Sequence, residues 1–328
     1  MTDRRLFIRL PLALMAGTGA WRAARAQQAA RLETARIIVG FPAGGTVDVL
    51  GRHVAERLRG GYARAVLVDN KPGAAGQIGI LALRDSAPDG ATLLLTPSSM
   101  LSIYPYTYPT LRYSVDDVAP VSVGAYMDHG VAIGPAVPAS VRTLGEFIQW
   151  AKGHPDRANF GSPGAGSMAH MVGILLGQSA QLDWRHVAYR GAAPAIQDLL
   201  GGQISAYCGP AGDFIAHAPA GKLRVLAVAG GKRSTFFPQV PTLSESGHAL
   251  ALREWYGLFL PARTPPATVE AASAAVRAAL ASPELVEQGR QHGLEIQSST
   301  PQELQALLRA DVAQWRGLVQ RTGFTAES

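Results

Sequence analysis

The chain has 328 residues, of which 30 are Lys or Arg and 24 are Asp or Glu, for a formal net charge of +6, and a single cysteine, Cys208. The length suits two domains of ordinary size, and one cysteine excludes an intrachain disulfide. The basic excess is concentrated at the N-terminus: removing residues 1–26 takes away five arginines and one aspartate and leaves 25 basic against 23 acidic residues. That near balance, with no Lys/Arg run interleaved with aromatics, excludes nucleic acid as a partner on electrostatic grounds.

In chain order, the first segment reads as an export signal. Arg4-Arg5 precede an apolar stretch, Leu10–Trp21, and Ala24-Arg25-Ala26 offers a small-x-small cleavage site, so residues 1–26 are expected to be a signal peptide cut near Ala26 and the chain to be periplasmic. The stretch is too short for a membrane span and contains Pro11. Arg-Arg-Leu-Phe-Ile-Arg fits a twin-arginine signal as well as an ordinary secretory one. Export without a disulfide is compatible with a mature chain of this size, which buries enough apolar surface on its own.

Beyond it, strand-like and helix-like runs alternate, which predicts an α/β fold with mainly parallel sheets. Arg36–Gly40 reads as a strand, and Thr46–Arg59 as a helix with Val47, Leu50, Val54 and Leu58 on one stripe. Strands at Ala65–Val68 and Ala91–Thr96 flank a helix from Gln77 to Ser86. Thr143 and Glu146 form the ends of a capping box. Further strands fall at Asn159-Phe160, Arg185–Tyr189, Ile204–Cys208, Leu223–Ala229 and Trp255–Leu260. Thr300, Pro301 and Glu303 open a final helix whose apolar stripe is Leu304, Leu307, Leu308, Trp315, Leu318 and Val319. The expected organisation is a first lobe of residues 27–130 plus 254–328 and a second lobe of residues 131–253, with crossings near Met127–Val131 and Glu254–Leu258.

Two glycine-rich strand-to-helix turns stand out as candidate binding loops. In Ile37–Asp48, Gly44 and Gly45 let the backbone turn sharply and approach a ligand, with Ala43 beside them, and Thr46 can cap or bind. Asp48 lies in the first helical turn, where a carboxylate suits the helix dipole, and reads equally as a stabiliser or a ligand contact. In Asn159–His170, Ser162, Gly164, Ala165, Gly166 and Ser167 surround the next helix start, with His170 expected to be a structural hydrogen-bonder. Arg190 and Gly191 end a strand at the edge where open α/β sheets hold ligands. Backbone N–H groups at both helix starts suit an anion.

Magnitude restricts the ligand. Two helix ends contribute about 0.3–1 kcal/mol each when exposed and up to about 2 when partly buried, whereas micromolar affinity needs about 8 kcal/mol. Charge-assisted hydrogen bonds of about 1.5–3 kcal/mol each must supply the difference in a closed cleft. A small organic acid with two recognition ends fits; a large apolar ligand does not follow.

The ordered strings FPAGGTVD, DNKPGAAGQIG, APDGATLLL, GSPGAGSMAH, VAYRGAAPAIQDLLGGQI, GKLRVLAVAGGKRS and PQVPTLSESG resemble the solute-binding receptors of tripartite tricarboxylate transporters, the Bug family, over about Arg36 to Phe324. The resemblance implies a two-lobed, type II-like periplasmic-binding-protein fold. It also implies Venus-flytrap closure on a small carboxylate, delivery to membrane permease subunits, and a monomer. It places the ligand loops at Ala43–Thr46 with Asp48 and at Ser162–Ser167, beside Tyr189–Ala192. Two departures bear on the ligand: Ile174 stands where many relatives have an acidic residue, and Cys208-Gly209-Pro210 where they tend to have a Phe-Asp pair. Both remove carboxylates and point to a less polar cleft.

Two enzymatic readings compete. Gly164-Ala165-Gly166-Ser167-Met168-Ala169 satisfies G-x-G-x-x-A after a strand, which would suit an exported nicotinamide-dependent oxidoreductase, but the acidic residue expected at the end of the next strand is absent and Tyr189-Arg190 stands there. A hydrolase built on Ser162 or Ser167 with His170 lacks the G-x-S-x-G elbow. No metal-ligand spacing is present, and no cofactor is expected. A ligand sensor for a membrane receptor keeps the same fold and differs only in partner.

Overall fold

The structure, a computed structural model, describes residues 32–326, so the expected signal peptide and its cleavage site near Ala26 lie outside the described residues. Strands β1 (Leu32–Val39), β2 (Ala63–Asn70), β3 (Thr92–Pro97) and β4 (Val118–Met127) belong to one sheet, with helices α1 (Thr46–Leu58) and α2 (Gln77–Arg84) between them. The second sheet comprises β5 (His129–Ile133), β6 (Asn159–Ser162), β7 (Arg185–Ala188), β8 (Ala206–Pro210) and β9 (Arg224–Val228). Its helices are α3 (Leu144–Gly153), α4 (Met168–Ala180) and α5 (Ala192–Leu200). The chain then returns to the first sheet through β10 (Glu254–Pro261), α6 (Pro266–Leu280), α7 (Pro283–Gln291), β11 (Glu295–Ile296) and α8 (Pro301–Thr322).

The spatial orders are β11-β4-β10-β3-β1-β2 and β7-β6-β8-β5-β9. Both sheets are mixed rather than mainly parallel. β1 runs parallel to β2 and β3, and β6 parallel to β7 and β8, but β10 is antiparallel to β3 and β4, and β5 is antiparallel to β8 and β9. The cause is the chain path. β5 and β10 each arrive from the other lobe and enter their sheet from its far end, against strands laid down by strand–helix–strand steps.

The crossings lie side by side. Only Asp128 separates β4 from β5, and Glu254 at the start of β10 pairs with Met127 at the end of β4. Arg253 ties them: its Nε lies 3.3 Å from Asp128, its other end 2.5 Å from Glu295, and its guanidinium 4.8 Å from the Tyr126 ring centre. Beneath, the buried His129 Nε2 lies 3.3 Å from the buried Glu254 Oε2. Burial pushes the Glu254 carboxyl up to about 7 and the His129 imidazole down to about 3, so His129 is neutral at neutral pH while Glu254 titrates there.

The final helix forms as its caps dictate. Thr300 accepts from the Glu303 N–H while the Glu303 carboxylate accepts from Thr300, and Pro301 occupies the first turn. Leu304, Leu308, Trp315, Leu318 and Val319 are buried and Leu307 is half-buried. The helix packs on β4 and reaches α4 of the other lobe, where Gln178 donates to the carbonyls of Arg321 and Thr322.

Candidate functional site

The first glycine loop leaves β1 and enters α1 with its tip, residues 42–45, exposed. Gly44 has φ +92°, a left-handed conformation that glycine takes without a Cβ penalty. Gly45 at the N-cap has no side-chain cap, so the first-turn N–H groups of Thr46, Val47 and Asp48 have no acceptor within the helix. Asp48 faces inward. Its Oδ2 accepts from the Gly44 N–H at 2.9 Å and Arg52 Nε at 2.9 Å, and its Oδ1 from Arg52 at 3.0 Å and Asn70 at 2.8 Å. Burial acts to raise this carboxyl, but the bonds from Arg52, Gly44 and Asn70 outweigh it and hold it below its ordinary value. With both oxygens doubly occupied, Asp48 shapes the loop from within the lobe. Thr46 Oγ1 meets the Tyr256 hydroxyl of β10 at 2.6 Å, which fixes the loop to the strand that returns from the other lobe.

The second loop, after β6, is more fully satisfied internally. Ser167 caps α4: its hydroxyl accepts from the His170 N–H at 3.3 Å and donates to the Gly164 carbonyl at 2.7 Å. The Gly166 N–H donates to His170 Nδ1 at 3.0 Å, which gives His170 the structural role its place in the helix predicts. Ser162 is fully buried, with Oγ 2.8 Å from His186 Nε2 and 3.1 Å from the Gly164 carbonyl it donates to. The His170 and His186 rings stack with centroids 3.6 Å apart. Burial lowers both, to about 3 and about 4, with the proximity of His186 adding to the effect at His170, so both imidazoles are neutral at neutral pH. Gly164 and Ala165 form the open part of the loop, and the Ala165 carbonyl accepts from Tyr108 of the first lobe at 3.2 Å.

The β7 turn joins this cluster. Tyr189 N–H donates to the Ser162 carbonyl and Gly191 N–H to the Pro163 carbonyl, both at 3.0 Å, so the exposed Arg190 is held between two residues bonded to the second loop. Gly191, at φ +106°, precedes α5 without a side-chain cap, a second open helix start. Ser162, Gly164, Ala165, Gly166, Ser167, Arg190 and Gly191 therefore form one group. Ala43, Gly44, Gly45, Thr46 and Asp48 form another, and the hydroxyls of two first-lobe tyrosines meet them, Tyr108 at the Ala165 carbonyl and Tyr256 at Thr46. The sequence did not single out these two tyrosines or His186, whose roles depend on tertiary placement.

Comparison with known proteins separates the readings. The profile described as "Tripartite tricarboxylate transporter family receptor" matches residues 50–324. The chain belongs to this family. Protein BugT of Bordetella pertussis is 32% identical over 291 residues, covering 88% of this chain and 89% of that one. Among solved structures, the periplasmic binding protein BugD matches with a TM-score of 0.81 at 28% identity, covering 90% and 99% of the two chains. A Rhodopseudomonas palustris protein solved with adipate matches with a TM-score of 0.83 at 26% identity, covering 89% and 98%. MatC from Rhodopseudomonas palustris, with bound malate, matches with a TM-score of 0.78 at 26% identity, covering 87% and 98%. The tripartite tricarboxylate receptor fold is thus that of a two-lobed periplasmic binding protein. Among the described residues no helix is long and apolar enough to cross a membrane, and no cluster of three His, Cys, Asp or Glu could hold a metal.

Proposed function

We propose that this receptor is exported to the periplasm, closes on a small organic acid and delivers it to the permease of a tripartite transporter. The observation that carries the reading is the open start of α1, an uncapped helix end at an exposed two-glycine tip, which offers convergent N–H donors to a carboxylate. The likeness to structures bearing adipate and malate supports the same ligand class. In this proposal Gly44, Gly45 and Thr46 hold one end of the acid, and Gly164–Ser167 with Gly191 and the Arg190 guanidinium hold the other. Asp48, Ser162 and His170 act by shaping the loops.

The lobes are residues 27–130 plus 254–328 and residues 131–253, and closure turns about Asp128 and Arg253. Closure requires contacts made only in the shut state, which the second loop and Arg190 supply. In this proposal the protein acts without chemistry: Ser162 is sealed from solvent, and its hydroxyl is held between the Gly164 carbonyl and His186. A thermal-shift screen of succinate, malate, adipate and aromatic acids, with nicotinamide dinucleotides as the contrast, tests this. Stabilisation by one class of acid alone is expected through ligand linkage, and a shift with a dinucleotide but no acid contradicts it. Loss of labelled acid uptake in cells lacking the protein tests delivery.

A further inference from the structure

On the delivery reading above, we propose that the outer pole of the second lobe carries a docking groove for an acidic segment of the membrane permease, which sets an apolar side chain on the groove floor and carboxylates against its rim. The groove has a volume of about 750 Å³ and runs between the end of β5, the loop that follows it and the start of β9. Its floor is apolar: Val137 is buried, and Val225, Phe237 and Val240 are half-buried. Its rim is basic, with Arg142 and Lys222 exposed and Arg224 half-buried, and no Asp or Glu is among the described residues that line it.

Strand register fixes where the groove faces. Ile133, the last residue of β5, pairs with Ala206 at the start of β8 and with Arg224 at the start of β9, whereas His129 at the other end of β5 pairs with Pro210, the last residue of β8. β6 runs parallel to β8, so the second glycine loop leaves the sheet at the Pro210 end, which is also the end of the crossing at Asp128. The groove lies at the opposite end, about 14 Å of strand from His129. A partner seated there leaves the ligand loops free. It also grips the lobe at the end of a lever about the crossing, where hinge closure displaces the surface most.

The groove is preformed. The Arg224 guanidinium donates to the carbonyls of Val141 at 2.6 Å, Pro138 and Val137 at 2.8 Å, and Gly134 at 3.4 Å, which staples residues 134–141 to β9. Phe237 is held edge-on to Phe214, with ring centres 6.4 Å apart. All four Arg224 partners are carbonyls, so its charge has no carboxylate against it; burial and the charge of Arg142 both act to lower it. Glu146 is near Arg142, but its Oε2 accepts from the Arg142 and Thr143 N–H groups at the start of α3, and the rim keeps a net positive charge. Carboxylates flanking an apolar side chain answer both features, the charges steering the encounter and the floor taking the anchor. A lipid surface fits poorly, because the apolar groups form the floor of a concavity instead of projecting into a bilayer.

Cells deleted for the receptor and complemented with the wild-type chain or with Arg142→Glu plus Lys222→Glu test this. The probe is labelled succinate, malate or adipate, whichever the wild-type chain binds by calorimetry. Both rim residues are exposed, so the purified double variant should keep its melting temperature and bind the acid within about twofold of wild type, while uptake falls about tenfold or more. A second readout uses Ala139→Cys on the groove wall, and decides the matter if the charge-reversed chain does not fold. Cys208 is fully buried, so the introduced thiol alone takes a photoactivatable maleimide. Irradiation with membranes should give an adduct with a permease subunit, absent with membranes from cells lacking the permease genes. Wild-type uptake by a folded double variant, weaker acid binding in that variant, or an adduct formed equally with permease-free membranes or phosphatidylglycerol vesicles overturns the docking and leaves the receptor reading intact. Uptake that persists at the wild-type rate after deletion of the receptor gene overturns the delivery reading, and the docking with it.

Discussion

Asp48 shows how one carboxylate sets a loop. It collects Gly44, Arg52 and Asn70 on its two oxygens, so Asp48→Ala frees four donor groups on three residues at once. Arg52 is half-exposed and finds water, which limits the cost to about 1–3 kcal/mol, the range for leaving a buried polar group without its partner. Urea denaturation should show that loss, and ligand affinity should fall with it because Gly44 no longer holds its turn. Titrating groups pull stability in two directions. His129, His170 and His186 are held down to about 3, 3 and 4, so they are neutral in the folded chain and charge more easily when unfolded. Their contribution is lost as pH falls from about 6.5 towards 3. Asp213 and Glu254 at about 7 and Asp311 at about 6 act oppositely: the folded state binds more protons than the unfolded one, so stability falls as pH rises from about 4 to 7. Asp213→Asn should therefore raise the melting temperature of the unliganded protein at pH 8 while changing it little at pH 4, measured by calorimetry.

At the scale of elements, caps and glycines were legible where the physics is local. The final helix follows from Thr300, Pro301 and Glu303, and α3 from Thr143 and Glu146, because each cap is completed within four residues. β4 was not legible. Pro120, Ser122 and Gly124 interrupt its pattern, and it is a strand because β10, β11 and α8 cover it, which no local window contains. The antiparallel entries of β5 and β10 were equally hidden, since strand direction follows from the crossings. In the site, the glycine tips were readable from composition, whereas the inward use of Asp48 and Ser162 depends on partners distant in sequence. The contact of Gly212 in the second lobe with His292 in the first gives an element-scale test. Gly212→Ala introduces a Cβ against the His292 carbonyl, and overpacking of this kind costs about 1–3 kcal/mol. The variant should bind ligand more weakly and show a larger radius of gyration by small-angle X-ray scattering, because the wedge lies between the lobes.

For the whole molecule, the two sheets are joined by adjacent crossings at Asp128 and Arg253, and α8 reaches from the first sheet to α4 of the second. In the proposed clamp each lobe brings one uncapped helix start to the ligand, α1 from the first and α5 from the second. Gly45 offers the cleanest probe of the clamp: its φ of −75° suits any residue, and a Cβ there meets nothing closer than the Pro42 carbonyl at 4.0 Å. A side chain at this position leaves the fold intact and fills the approach to the first-turn N–H groups. The most direct measurement is calorimetric titration of the small carboxylates named above into the wild-type chain and into Gly45→Val, with circular dichroism confirming that the variant folds. Saturable binding of one ligand per chain, weakened about tenfold or more in Gly45→Val, is the expected result. Binding of equal strength in a folded Gly45→Val, or no binding of any of these ligands by the wild type, would contradict the clamp.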